Sequence, residues 1–361
     1  MAHYVSLNLA NMGVNTTLYQ RFRSLKEAEA WNKTEEAQNL KQSNVRTLQF
    51  IADYSLKNIW KYPYYVYNSP HKLDNMGYDV VHYNSPPVDA NMLLPRAFSR
   101  RGTIQTVAIH GGLFYESKNF VGRIMFRSLA KYIHGAIALN AFSRKIALKQ
   151  GFNDGRVHVI PNGVDSELIC RIQPTYLKGN PSIVYAGRLE AIKGIDTLLQ
   201  AAAELKGRLE GLRLYIVGSG SLEKKVKSVS EKLSPTVTYV GRLPSVRDVI
   251  SMLKGADLVV IPSLKENFSI SLLEAMASGT PLIVSDAEGN MDVVNDQMAW
   301  IFKRGSVSSL AETISKAHLN PEASKSKAEL GKSHTSNTYN WIAIARRYLE
   351  LFDSLRVDRP T

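Results

Sequence analysis

The residues best placed to do chemistry in this 361-residue chain are Glu266 and Glu274, with seven residues between them. They bracket Asn267-Phe268-Ser269-Ile270-Ser271-Leu272-Leu273, which follows the apolar run Leu258-Val259-Val260-Ile261 and the pair Pro262-Ser263. The run predicts a buried strand, the pair its carboxyl end, and the residues from about Ser269 onward a helix. Gly279 suits that helix's C-cap, and Pro281 the way into the next strand. Glu266 is thus expected on a loop at the mouth of a sheet, with Glu274 about one to two turns into the helix. The helix start between them offers free backbone N–H groups to an anion. A carboxylate at Glu274 can accept two hydrogen bonds from a vicinal diol such as a ribose. The competing reading is a surface loop with two unrelated carboxylates. Strand, cap, glycine and proline in register argue for the functional one.

A second segment, Tyr185-Ala186-Gly187-Arg188-Leu189-Glu190-Ala191-Ile192-Lys193-Gly194, also lies where a strand ends and a helix is about to begin. Arg188 and Lys193 place two fixed positive charges there. Two such cations can stabilise the negative charge that develops on a departing diphosphate without help from a metal ion. Taken alone, the segment reads better as a structural Arg–carboxylate pair with a solvated lysine.

The elements that must position these groups alternate along the chain. In the first half, Tyr4–Leu9, Val45–Ile51, Val80–Tyr83, Thr106–Ile109, Ala136–Leu139 and Val157–Ile160 read as strands, and Pro161-Asn162-Gly163-Val164-Asp165 as a turn. The opening residues are expected to form a short strand and a turn. After a loosely patterned stretch, Ser166–Gly179, strands are expected at Ile183–Ala186, Leu214–Val217, Val237–Val240, Leu258–Ile261 and Leu282–Ser285. Helices are expected between them at Gly194–Lys206, Leu222–Lys232, Val246–Leu253 and Ser271–Ala277, and Trp341–Leu355 is amphipathic. Strands alternating with helices imply βαβ units and parallel sheets. The length suits two such domains of about 150 to 200 residues each. In open sheets of this kind, ligands sit beyond the carboxyl ends of the strands.

Together the two chemical segments resemble the retaining GT-B glycosyltransferases of the large group 1 family, which includes mannosyl-, galactosyl- and glucosyltransferases. Leu214-Tyr215-Ile216-Val217-Gly218-Ser219-Gly220, Val240-Gly241-Arg242-Leu243-Pro244 and Asp257-Leu258-Val259-Val260-Ile261-Pro262-Ser263 extend the likeness over nearly all of the second half. In the first half, Asp79-Val80-Val81-His82, Ile109-His110-Gly111-Gly112 and Ile160-Pro161-Asn162-Gly163-Val164-Asp165 follow in the family's order. The resemblance implies a GT-B fold, two Rossmann-like domains with parallel sheets facing a cleft. Residues 1–166 would form the acceptor-side domain, residues 167–337 the nucleotide-sugar domain, and 338–361 a helix crossing back to the first. It also implies transfer of a hexose from a UDP- or GDP-sugar to a glycan, lipid-linked or small-molecule acceptor, with retention of configuration by front-face attack and no cofactor beyond the donor.

Position by position, Arg188 and Lys193 resemble the pair that holds the donor diphosphate, and Glu274 the carboxylate that binds the ribose. Glu266 resembles the first glutamate of the family's E-x7-E motif, near the transferred sugar. The backbone N–H groups of Phe268, Ser269 and Ile270 would meet sugar hydroxyls or phosphate, and Leu243 matches a position that contacts the base. His110 matches a histidine that reaches the donor sugar from the other domain. Closure is therefore implied, with Ser166–Gly179 and the stretch before Trp341 as hinges. The chain departs from the family pattern in its first loop, Asn11-Met12-Gly13-Val14, where a Gly-Gly pair is usual and Gly13 stands alone as the phosphate-loop candidate. It departs again at Ser269, where glycine is common, and at Asp292, where glutamate is common.

Composition narrows the alternatives. Cys170 is the only cysteine, so neither an internal disulfide nor a thiolate metal cluster is expected. No Asp-x-Asp motif and no histidine-carboxylate cluster has metal-ligand spacing, so no obligatory divalent metal is expected. The opening residues lack the pattern of a signal peptide, and no apolar run reaches the roughly 18 residues of a membrane span. A cytoplasmic protein, with peripheral attachment to the inner membrane face, is the expectation. The net charge of +13 suits phosphorylated ligands, anionic lipid or nucleic acid. No acidic residue falls between Glu116 and Asp154, a stretch that holds Lys118, Arg123, Arg127, Lys131, Arg144, Lys145 and Lys149. With Phe120, Ile124, Phe126 and Leu129 among them, a basic amphipathic helix on a membrane surface competes with an ordinary solvated helix face. No nucleic-acid module is recognisable, so nucleic acid is not expected as a partner. The remaining rivals are a nucleotide-sugar epimerase on the same fold and a non-catalytic basic binding protein.

Overall fold

The computed structural model describes residues 2–22, 25–51, 78–84, 102–109 and 130–357. The chain divides into two compact units, one of Met1–Asn162 with Trp341–Thr361 and one of Gly163–Asn340. The first has two parallel sheets and the second one, and each unit has its own core. Among the described residues no helix is long and apolar enough to cross a membrane.

The first unit opens with helix α1 (Ala2–Asn11), then β1 (Thr17–Phe22), α2 (Leu25–Asn32), α3 (Glu35–Gln42) and β2 (Arg46–Ile51). It continues with β3 (Val80–Tyr83), β4 (Ile104–Ile109), β5 (Gly135–Ala138), α4 (Ala141–Lys149) and β6 (Val157–Val159). β1 pairs with β2, and β3-β4-β5-β6 form a second sheet, all in parallel. One face of the four-stranded sheet buries Val107, Ala136, Ala147 and Phe152. The other is covered by the last helix of the chain, Trp341–Val357, whose Ile344, Ala345 and Tyr348 pack with Val5, Leu9, Ile137 and Ile160.

The opening residues correct the sequence reading: Tyr4–Leu9 lies in helix α1, not in a strand. Its apolar residues alternate because the helix has two buried faces. Val5 and Leu9, one helical turn apart, meet the C-terminal helix, where Tyr4 stacks on Trp341 with ring centroids 5.0 Å apart. Ala2, Leu7 and Ala10 pack instead with Leu18, Leu40 and Val45. Two contact stripes interleaved in this way produce a period of two in a helical segment.

The second unit begins with α5 (Ser166–Arg171) and alternates strictly thereafter. It runs β7 (Ser182–Ala186), α6 (Ile195–Leu205), β8 (Arg213–Val217), α7 (Glu223–Lys232), β9 (Val237–Gly241) and α8 (Val246–Gly255). Then come β10 (Leu258–Ile261), α9 (Ile270–Ser278), β11 (Leu282–Ser285), α10 (Glu288–Met291), β12 (Trp300–Phe302), α11 (Val307–Leu319) and α12 (Pro321–Thr338), before the C-terminal α13 (Trp341–Val357) of the first unit. The sheet order is β12-β11-β10-β7-β8-β9. Strands β7, β10 and β11 are buried along their whole length, as helices on both faces require. The chain builds outward from β7 through β8 to β9, then returns to the other side of β7. The order therefore reverses between β7 and β10, and a crevice opens at that point.

Beyond β11 the sequence names no element before Trp341; the structure adds α10, β12, α11 and α12 there. α12 gives little sequence signal because its buried stripe is made of Ser324, Ala328, Gly331 and Thr335, small residues that carry little hydrophobic periodicity. The stretch Ser166–Gly179 is not a free linker. Lys254 Nζ donates to the carbonyls of Ile169 at 3.2 Å and Cys170 at 3.1 Å. Ser251 Oγ donates to Gln173 O at 2.7 Å, and Thr175 N to Ser251 O at 2.9 Å. These bonds fasten the segment to α8. The chain leaves one unit for the other at Asn162–Gly163 and again at Asn340–Trp341, where Val164 N donates to Tyr339 O at 2.7 Å.

Candidate donor site in the second unit

The reversal point brings the loops after β7 and β10 side by side. The β7 loop runs through Gly187 and Arg188 to the single turn Ala191–Lys193 and then Gly194, which caps that turn at φ 70°. A side chain at Gly194 would place its Cβ 1.9 Å from Pro262 O, so only glycine lets this loop lie against the end of β10. Leu264 N completes the junction by donating to Ile192 O at 2.9 Å. The result is an ion pair between Lys193 Nζ and Glu266 Oε2, with side chains 19% and 10% exposed. Ser263 Oγ donates to the same oxygen at 3.3 Å.

The loops after β8 and β9 complete the floor. Gly187 N donates to Val217 O at 3.0 Å, Gly218 N to Gly241 O at 2.8 Å, and Leu189 N to Ser219 O at 2.9 Å. Glu190 accepts from Ser221 Oγ at 2.6 Å and Ser221 N at 3.1 Å. Those two hydrogen bonds hold the Glu190 carboxyl below the usual carboxylate range, with Arg188 adding a smaller effect. Above the strand ends lies a cavity of about 480 Å³, lined among others by Arg188, Ser219, Arg242, Leu243, Ser271 and Glu274.

Glu274 projects from α9 into this cavity. The helix starts where Ser269 Oγ accepts from Leu272 N at 3.2 Å and ends at Gly279, with φ 75°. Its first turn leaves backbone N–H groups without intrahelical acceptors, at Ile270 and Ser271. Burial pushes the Glu274 carboxyl up to about 7. Arg188 and Arg242 are exposed where they line the cavity, and Glu274 lines the same cavity half-buried. The two halves of the site meet electrostatically at Tyr185. Its hydroxyl donates to Arg188 O at 2.8 Å and is raised by burial first, then by Glu266, with Arg188 opposing.

The expected residues fall into three groups. Arg188, Leu243 and Glu274 share the cavity, and Lys193 and Glu266 form the adjoining ion pair. Phe268, Ser269 and Ile270 lie at the start of α9. The Phe268 ring turns inward to meet Tyr339 edge-on at 6.1 Å, which leaves its backbone as the part available to a ligand. Gly13 sits in the first unit at the end of α1, with φ 86° and nothing within 4 Å of where a Cβ would stand. Val14 N donates to Leu9 O at 3.0 Å and Gly13 N to Ala10 O at 2.9 Å, so Gly13 terminates a helix. His110 lies outside the described residues, as do positions 118–129 of the basic stretch; Arg144, from its described part, pairs with Asp154. Arg242 and Ser219, which the motifs contain without a role, line the cavity together with Val246 and Val249. Arg242 stands one residue after β9 and Ser219 two residues after β8, as Arg188 stands two residues after β7. Among the described residues, no group of three or more His, Cys, Asp or Glu could hold a metal ion.

Comparison with known proteins bears on both halves. Residues 171–334 match the family "Glycosyl transferases group 1", and residues 1–168 match "Glycosyltransferase Family 4". The chain is similar to the D-inositol 3-phosphate glycosyltransferase of Nocardia farcinica, with 32% identity over 179 residues, 45% of this chain and 40% of that one. It is also similar to the N,N'-diacetylbacillosaminyl-diphospho-undecaprenol alpha-1,3-N-acetylgalactosaminyltransferase of Campylobacter jejuni. There the identity is 25% over 252 residues, 65% of this chain and 64% of the other. The matched segments thus span less than two thirds of either relative. Among solved structures, Anabaena Alr3699/HepE in complex with UDP and glucose superimposes with a TM-score of 0.76 at 17% identity, covering 98% of this chain and 96% of that one. The likeness establishes two Rossmann-like domains of the GT-B fold.

Proposed function

The chain belongs to the group 1 glycosyl transferases, and from that membership we propose that it moves a hexose from a UDP- or GDP-sugar to a glycan, lipid-linked or small-molecule acceptor with retention of configuration. The observation that carries this reading is the cavity over the carboxyl ends of β7, β8 and β9, where Arg188, Arg242 and Glu274 converge beside the Lys193–Glu266 pair. Arg188 holds the donor diphosphate through its planar fork, with Lys193 as a second, compact charge. Glu274 accepts from the ribose hydroxyls, Leu243 packs on the base, and Glu266 meets the transferred sugar. The acceptor hydroxyl oxygen bonds to the anomeric carbon as the bond to the phosphate oxygen breaks, and the hydroxyl proton passes to that leaving oxygen. Arg188 and Lys193 stabilise the charge that develops there, the role a divalent ion would otherwise fill.

A lipid-linked acceptor is supported by the name of the Campylobacter relative, and a UDP-sugar by the nucleotide in the Anabaena structure. With such an acceptor, the chain works in the cytoplasm against an anionic membrane surface met by the Lys118–Lys149 region.

Thermal stabilisation by a panel of UDP-, GDP-, ADP- and dTDP-sugars tests the reading, with Glu274→Ala and Arg188→Ala as controls. A midpoint shift with one nucleotide, lost in both variants, is expected; no shift with any donor overturns it. Turnover should persist in chelator. Incubation with donor alone should yield no second nucleotide-sugar, the product that an epimerase would form.

A further inference from the structure

We propose that Ser263, braced by Ser285 and Asn290, is a positioning residue that fixes the rotation of the Glu266 carboxylate and so aims it at the donor sugar. The role rests on the transferase reading above. Ser263 closes β10 and is 3% exposed. Its hydroxyl and the Lys193 ammonium both bind Oε2 of Glu266, whereas among the described residues Oε1 accepts no hydrogen bond. This asymmetry matters because the terminal torsion of a glutamate is broad, so its two oxygens exchange at little cost. An ammonium is a point charge that either oxygen can meet equally well. A fixed hydroxyl on one side removes the equivalence, so Oε2 is committed and Oε1 remains the acceptor for a sugar hydroxyl.

Ser263 is itself held in place. Its carbonyl accepts from Ser285 Oγ at 2.6 Å, at the end of the neighbouring strand β11. Asn290 Nδ2 approaches Ser285 Oγ at 3.2 Å and Ser285 O at 3.3 Å. Ser285 and Asn290 are both fully buried, at 0% exposure. On the other flank, a Cβ at Gly289 would stand 2.4 Å from Glu266 O and 2.2 Å from Asn267 O, so α10 lies in backbone contact with the loop that carries Glu266. Burying a row of polar side chains across two strand ends costs desolvation that an apolar set would avoid. What the polar row supplies is position, because it fixes the Ser263 backbone from which the hydroxyl reaches Glu266.

The test uses the full chain and compares the affinity for a nucleoside diphosphate with that for the matching nucleotide-sugar, alongside kcat. Ser263→Ala should leave nucleoside diphosphate affinity within about twofold while lowering kcat or nucleotide-sugar affinity about tenfold, the scale of one hydrogen bond to a charged group. Ser263→Thr, which keeps the hydroxyl, should restore most of the loss. In a Glu266→Gln background, Ser263→Ala should add nothing further. If Ser263→Ala melts below the assay temperature, Ser263→Cys carries the same expectation, because its thiol is a weak donor. Equal losses for the two ligands, or losses that add to those of Glu266→Gln, would overturn the role. A wild-type chain that binds neither ligand overturns the transferase reading and this role with it.

Discussion

Glu274 holds a carboxyl in a place where burial makes its charged form costly, and the folded chain retains the proton up to about pH 7. An ordinary glutamate in the unfolded chain releases it near pH 4.5. The folded state therefore binds the proton more tightly, and this group's contribution to stability falls as pH rises from about 4.5 to about 7. Each pH unit between those two midpoints corresponds to about 1.4 kcal/mol, so the full penalty above neutrality is of order 3 kcal/mol. Glu274→Gln should accordingly raise the unfolding free energy at pH 8, leave it nearly unchanged at pH 4.5, and flatten the profile between. Chemical denaturation at several pH values measures this directly. The same variant should lose donor binding, because an amide cannot accept from both hydroxyls of a diol as a carboxylate does. A site residue whose removal stabilises the fold is the expected sign of a group kept for function rather than for packing.

At the scale of single elements, two glycines with similar backbone angles make a sharp contrast. Gly13, with φ 86°, ends α1 in open space, whereas Gly194, with φ 70°, has the carbonyl of Pro262 where its Cβ would be. Gly13→Ala should cost only the left-handed backbone penalty of about 1 to 2 kcal/mol. Gly194→Ala must also push the β7 loop off the end of β10, separating Lys193 from Glu266, and should cost more than Gly13→Ala by about 1 kcal/mol or more. Donor affinity should fall at least about tenfold in Gly194→Ala and stay unchanged in Gly13→Ala. Denaturant midpoints and ligand titration of the two variants test the pair of expectations together. Elements differed in how plainly the sequence announced them. β10 and β11 are unbroken apolar runs, and the structure has them at the expected bounds, Leu258–Ile261 and Leu282–Ser285. α1 and α12 are not legible in this way, because one has two buried faces and the other buries small residues, so neither shows a single apolar stripe.

For the molecule as a whole, the two units have separate cores. Tyr348, at 0% exposure, anchors the C-terminal helix to the first unit, and Leu198 lies in the core of the second. Tyr348→Ala should cost about 3 to 5 kcal/mol in the first unit. Native-state hydrogen exchange should then quicken for amides of β3 to β6, while those of β7 to β12 keep their protection. Nucleotide should slow exchange in the second unit of this variant as it does in the wild type. Uniform quickening across both units would show that the cores unfold as one.

By itself the sequence determined the alternation of buried strands and helices, the parallel sheets, and the placing of Arg188, Lys193, Glu266 and Glu274 at strand ends and a helix start. All of these follow from local periodicity and capping, which are properties of neighbouring residues. Only the tertiary structure decided which strand ends meet. The return of the chain from β9 to the far side of β7 sets Lys193 against Glu266, although they are far apart in sequence. It also decided that burial raises the Glu274 carboxyl, that Ser263, Ser285 and Asn290 form one row, and that Ser166–Arg171 is tied to α8. Those outcomes depend on desolvation and on contacts between remote segments, which no window along the chain contains.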